Sequence, residues 1–152
     1  TIAEGSGFFQ HGRTYLGHPL AMAAAGAVLD ALTDPAMMPT VRARGDRLQS
    51  ALEERLGSHP QVGDIRGRGL FRGVELVANR QTKAPLDPAR KTHRRIKTLA
   101  MQQGLMCYPM GGTIDGRQGD HVLLAPPFII TDEQIDQVVE RLAEAIDKAL
   151  GE

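Results

Sequence analysis

The chain has 152 residues, 41% hydrophobic and 24% charged, with 18 basic side chains balanced by 18 acidic ones. That length supports a domain with its own core, and a formal net charge of zero offers no global attraction to nucleic acid or to an anionic membrane. A single cysteine excludes an internal disulfide, no stretch approaches the roughly 18 apolar residues of a membrane span, and no basic segment leads into an apolar signal core, so a cytoplasmic protein is expected.

Thr1 to Glu4 followed by Gly5 reads as the last turn of a helix with its glycine cap. The next stretch, Phe8-Phe9-Gln10-His11-Gly12-Arg13-Thr14-Tyr15-Leu16-Gly17-His18-Pro19-Leu20, is a glycine-punctuated loop that runs into an alanine-rich helix. Gly12 and Gly17 free the backbone for tight turns, Pro19 suits the first helical position, and His18 marks the boundary between loop and helix. A hydroxyl, Thr14, sits between the glycines. Bare N–H groups and a hydroxyl in such a loop suit an anion such as phosphate, although most glycine loops before helices are plain turns.

From Pro19 to Leu32 alanines and aliphatics occur on all sides, which predicts a helix buried over most of its surface. A second helix from about Pro39 to Leu56 places Val41, Leu48, Leu52 and Leu56 on one face. Gln61 to Ile65 and Leu70 to Leu76 read as strands flanking a turn at Gly67 to Gly69, and Asn79 to Pro88 as a polar loop. A third helix is expected from about Ala89 to Gln103, then strands at Leu105 to Tyr108 and His121 to Leu124, separated by a glycine-rich loop from Pro109 to Gly119 that is mobile or shaped by a ligand. Thr131-Asp132-Glu133-Gln134 is a capping-box pattern, followed by Ile135, Val138, Val139, Leu142, Ile146 and Leu150 on one helical face. The order suits an α+β fold, with helices covering one face of a short, mainly antiparallel sheet.

Three motifs in this chain resemble those of the class III aminotransferases. They are His11-Gly12-x-Thr14-Tyr15-x-Gly17-His18-Pro19 followed by Ala21 and Ala23-Ala24-Ala25, Arg66-Gly67-x-Gly69-Leu70-Phe71-x-Gly73-Val74-Glu75-Leu76, and Gly119-Asp120-His121-Val122-Leu123-Leu124-Ala125-Pro126-Pro127-Phe128-Ile129-Ile130-Thr131. The resemblance covers nearly the whole chain and implies pyridoxal 5'-phosphate as cofactor, on a fold type I scaffold shared by a homodimer. It divides the residues into 1–34, the end of the large domain with its cofactor-phosphate loop and linking helix, and 35–152, the small C-terminal domain. The opening residues would then lie well inside a longer protein, so a C-terminal fragment or truncated product is expected.

By the same resemblance, the Schiff-base lysine and the carboxylate at the pyridinium nitrogen lie upstream of the first motif. Lys83, Lys91, Lys97 and Lys148 all stand in polar contexts that give no reason for a depressed amine pKa. Thr14 matches the family threonine that contacts the phosphate of a cofactor bound mainly by the neighbouring subunit. Arg117, flanked by Gly116 and Gly119, is the candidate for a substrate carboxylate, since a guanidinium grips one bidentately; the alternative is a surface pair with Asp115 or Asp120. Arg66, Arg68 and Arg72 are expected on the solvated face of the sheet or paired with Asp64 and Glu75. The basic run from Arg90 to Lys97 reads as a solvated helix face, the five histidines have no metal spacing, and Cys107 reads as a small buried hydrophobe. The resemblance implies a transaminase acting on an amine or amino acid and a keto acid, with a catalytically incomplete chain. An aminomutase or decarboxylase of the same scaffold, or a non-catalytic dimerisation module, are the alternatives.

Overall fold

The computed structural model describes residues 3–9 and 12–151 and divides the chain into two compact units, Thr1–Met38 and Pro39–Glu152. Thr1, Ile2, Gln10, His11 and Glu152 lie outside the described residues; the histidine that opens the first motif and the first residues of the expected helix end are among them. Residues 3–6 form a turn.

In the first unit, α1 spans Pro19–Leu32 with Pro19 at its first turn. None of its residues is buried, contrary to the expectation of a helix enclosed over most of its surface. A unit this short holds no second layer against which to pack a helix that is apolar all round.

The second unit is α+β. Helix α2 (Met37–Leu56) leads to β1 (Val62–Arg68) and β2 (Phe71–Leu76), α3 (Thr92–Gln102), β3 (Tyr108–Gly111), β4 (Asp120–Leu124) and α4 (Asp132–Leu150). The four strands form one antiparallel sheet in the order β1-β2-β4-β3. Alternation places Arg72, Val74 and Leu76 with Asp120, Val122 and Leu124 on one buried face, and Gly73, Glu75, His121 and Leu123 on the other, half-buried face. Val41, Leu48, Leu52 and Leu56 of α2, Ile96 and Ala100 of α3, and Ile135, Leu142, Ile146 and Leu150 of α4 join them in the core.

Two elements start later than the sequence predicts. A single turn of 3-10 helix, Pro88–Arg90, is capped by the Asp87 carboxylate, and Lys91 then takes a left-handed φ of 50°. Helix α3 therefore begins at Thr92 rather than Ala89. At its other end Gly104 has φ 74°, its N–H donates to the Met101 carbonyl, and the Leu105 N–H donates to that of Ala100. Leu105 is thus used, and buried, in a Schellman closure of α3, so β3 opens at Tyr108 instead of Leu105. Pro109, which lacks an N–H, is tolerated because β3 is an edge strand.

Arg72 is the clearest departure in the core. It is only 7% exposed, because its place in β2 follows the parity of Leu70, Val74 and Leu76. Its guanidinium donates to the Gly67 carbonyl at 3.0 Å and the Gly45 carbonyl at 2.8 Å, tying the β1–β2 turn to α2.

Candidate functional site

The first candidate, Thr14, lies in a double turn. The Leu16 N–H donates to the Arg13 carbonyl at 3.0 Å and the His18 N–H to that of Tyr15 at 3.1 Å. Gly17 closes the turn with φ 73°, a conformation that disfavours a side chain, whereas Gly12 is outside the left-handed region. His18 then caps α1: its Nδ1 accepts from the Ala21 N–H at 3.3 Å, and its ring meets Tyr15 edge-on at 6.0 Å. The Thr14 hydroxyl takes no part in this framework; it is exposed and makes no hydrogen bond among the described residues. A turn that does not use its threonine leaves the hydroxyl free for an external acceptor.

Arg117 lies in the second unit, on the loop 112–119 between β3 and β4. The loop is a short hairpin extension in which the Thr113 N–H donates to the Gly119 carbonyl at 3.3 Å and the Ile114 N–H to that of Gln118 at 3.0 Å. Asp115 turns back on the backbone and accepts from the amides of Arg117 at 2.8 Å and Gln118 at 2.6 Å. Those amides hold the Asp115 carboxyl below its usual range. Asp120 is buried and engaged with His93 at 2.7 Å. Neither acid pairs with the Arg117 guanidinium, which is exposed and carries no ion pair among the described residues.

The other arginines separate cleanly. Arg66 pairs with Asp64 at 2.8 Å and Glu75 at 2.6 Å, as its place beside them predicts. Donating to Glu75 first, and then to Asp64, raises its pKa. Arg72 is the core residue described above and is not on the solvated face. Cys107 is half-buried, and burial pushes its thiol up to about 11, which suits a packing role rather than a nucleophile.

The four lysines are all exposed. Lys83 donates to the Gly63 carbonyl, Lys148 pairs with Glu144 at 3.1 Å, and Lys91 occupies the left-handed turn before α3. None lies in an apolar enclosure of the kind that Schiff-base chemistry uses. Among the described residues the lysines build no enclosure for the ring of pyridoxal phosphate, and the unengaged Thr14 hydroxyl is a free donor of the kind a phosphate accepts.

Two contacts escape a reading of the sequence. The Thr113 hydroxyl and His121 Nδ1 share a hydrogen bond of 2.7 Å across the loop stem. Asp120 accepts from both the backbone N–H and the ring of His93. The signal for the second is parity: Asp120 shares the period-two face of Val122 and Leu124, where a carboxylate requires a partner.

The comparisons with known proteins agree with this arrangement. The sequence profile of the family described as aminotransferase class-III matches residues 1–146. An uncharacterized aminotransferase of Schizosaccharomyces pombe is 45% identical over 146 residues, an overlap that is 96% of this chain and 31% of that protein. Among solved structures, a thermostable (S)-enantioselective omega-transaminase from Thermomicrobium roseum is similar with a TM-score of 0.81 and 31% identity, over 98% of this chain and 31% of that one. A pyridoxamine-phosphate-bound aminotransferase from Vibrio fluvialis gives a TM-score of 0.81 and 31% identity, over 99% and 31%. The chain thus spans about a third of the length of these proteins. Because the match runs through all three glycine-bearing motifs and nearly all of the α+β unit, the chain belongs to the class III aminotransferases, a family that uses pyridoxal phosphate.

Proposed function

We propose that this chain is the C-terminal portion of a pyridoxal-phosphate-dependent transaminase, which moves an amino group between an amine or amino acid and a keto acid. The observation that carries the reading is the family match over residues 1–146. Residues 1–34 then supply the phosphate loop and linking helix of the large domain, and 35–152 the small domain of a fold type I enzyme. Bound pyridoxal phosphate supplies an aldehyde that carries the amino group and a conjugated ring that accepts electron density during the exchange.

The chain's own residues have two tasks in this reading. Thr14 donates its hydroxyl to the cofactor phosphate held mainly by a neighbouring subunit, which makes the working unit a homodimer. Arg117 presents its planar fork to a substrate carboxylate and swings away when the second substrate lacks one. The exposed, unpaired state of both groups supports these roles. The four exposed lysines support a Schiff-base lysine that lies outside these residues.

The test uses the complete aminotransferase chain that carries these residues. Amino donor lost should equal amino acid formed from the keto acid, with neither half-reaction going beyond one equivalent of cofactor when the other partner is withheld. Release of carbon dioxide, or migration of the amino group without an acceptor, replaces this reading with a decarboxylase or an aminomutase. Arg117→Ala should raise KM for a carboxylate-bearing substrate by about tenfold or more, the worth of a charged hydrogen bond, and spare a substrate without that group.

A further inference from the structure

We propose that His93 is a positioning residue for Arg117: by clamping both stems of the loop 112–119 it fixes where the guanidinium can reach. The proposal rests on the reading of Arg117 as a ligand for a substrate carboxylate.

The loop leaves the sheet at Gly111, the end of β3, and returns at Asp120, the start of β4. His93, in the first turn of α3, touches both points. Its Nδ1 lies 2.7 Å from Asp120 Oδ1, and its backbone N–H donates to the same oxygen at 3.1 Å. On the other stem, a methyl group built on Gly111 would stand 2.5 Å from His93 Cε1 and Nδ1. The ring therefore lies flush against the bare backbone of one stem while it holds the carboxylate of the other.

The clamp also meets a need of α3. Its first turn has no acidic residue, and Lys91, at the N-cap, makes no side-chain cap. Lys91 and Arg94 add positive charge at an end already positive from the helix dipole. Asp120 supplies the missing negative charge and cap from a distant strand. It is only 5% exposed, so its two bonds to His93 offset a substantial desolvation cost.

Beyond the stems, the tip is held by its own backbone bonds and by Asp115. A bidentate grip tolerates little displacement, since positioning errors near 1 Å are costly. Fixed stems below a braced tip give Arg117 a defined origin, from which its exposed side chain is free to swing. Loss of the His93 ring removes the contact with Gly111 and one of the two donors to Asp120, so the stems separate and that origin shifts.

The experiment has two arms. In the complete enzyme, His93→Ala should raise KM for a keto acid bearing a second carboxylate by about five- to tenfold, with kcat held within about twofold. KM for an acceptor without that carboxylate should stay unchanged, and His93→Gln, which keeps a side-chain donor, should recover most of the loss. Equal losses on both acceptors, or none, overturn the proposal. If Arg117→Ala shows no preference between the acceptors, the assignment of Arg117 fails and the proposal falls with it; if Arg117→Ala discriminates and His93→Ala does not, only the positioning role fails. In the second arm, hydrogen exchange on the 152-residue chain should show the amides of Thr113, Ile114 and Gln118 exchanging at least about tenfold faster in His93→Ala, while those of α4 are unchanged. Unaltered loop exchange removes the clamp whatever Arg117 does.

Discussion

The backbones of Gly45 and Gly69 meet without room for a side chain between them: a Cβ on Gly45 would lie 2.5 Å from the Gly69 carbonyl carbon. Gly45 is in the middle of α2, where glycine ordinarily weakens a helix, and Gly69 turns between β1 and β2 with φ 56°. The close approach lets Arg72 reach the Gly45 carbonyl at 2.8 Å. Gly45→Ala should therefore destabilise the second unit by about 1–3 kcal/mol, although alanine is the better helix former. Urea unfolding decides the sign, and a stabilised variant would show that the contact gives way at no cost.

The N-terminus of α4 is closed by a reciprocal pair. The Gln134 N–H donates to the Thr131 hydroxyl at 3.2 Å, and the Thr131 N–H donates to the Gln134 side-chain oxygen at 2.9 Å. Thr131→Ala should cost about 1 kcal/mol, and Thr131→Ser much less, because serine keeps the acceptor. Equal losses for the two variants would mean that the methyl group, not the hydroxyl, matters here.

That helix was legible because its signals are local. A cap, a reciprocal glutamine and an apolar period of 3.6 lie within one stretch of chain, and they predict the buried face led by Ile135, Leu142 and Ile146. The same holds for Pro19 at the start of α1 and for Val41, Leu48, Leu52 and Leu56 in α2. For Arg72 charge points to solvent and parity to the core, and parity prevails because its partners are backbone carbonyls from the turn and from α2, which no sequence pattern reveals. The start of β3 shifted because Leu105 reads equally as a strand residue and as the apolar residue of a helix closure. For the candidate site, Thr14 stood out through a family motif and Arg117 through its guanidinium in a glycine-bearing loop just before another, whereas the clamp of His93 on Gly111 and Asp120 joins three separate elements and has no local signature.

Cys107 supplies a chemical check on the packing beside β3. Burial raises its thiol from an ordinary value to about 11, so the thiolate is scarce near neutral pH. Alkylation by iodoacetamide at pH 8 should be at least about tenfold slower than for a free cysteine peptide, and should approach the peptide rate in denaturant. Rapid labelling of the folded chain would place the thiol in solvent and remove the packing role assigned to it.

His121 gives the loop stem a pH dependence with a definite sign. Burial first, then the positive charge of Arg66, hold the imidazole below its ordinary value, while Asp120 and Glu75 act in the opposite direction. Thr113 faces its Nδ1 at 2.7 Å. A histidine whose folded pKa is depressed binds fewer protons folded than unfolded. Its contribution is therefore fully present above the unfolded value near 6.5 and is lost as pH falls through the folded one. The unfolding free energy of the wild type minus that of His121→Asn, followed by urea titration, should be flat from pH 8 to about 7 and decline below about 6.5. A difference that grows on acidification would mean that Asp120 and Glu75 dominate over burial and Arg66, reversing the electrostatic order assigned to this face of the sheet.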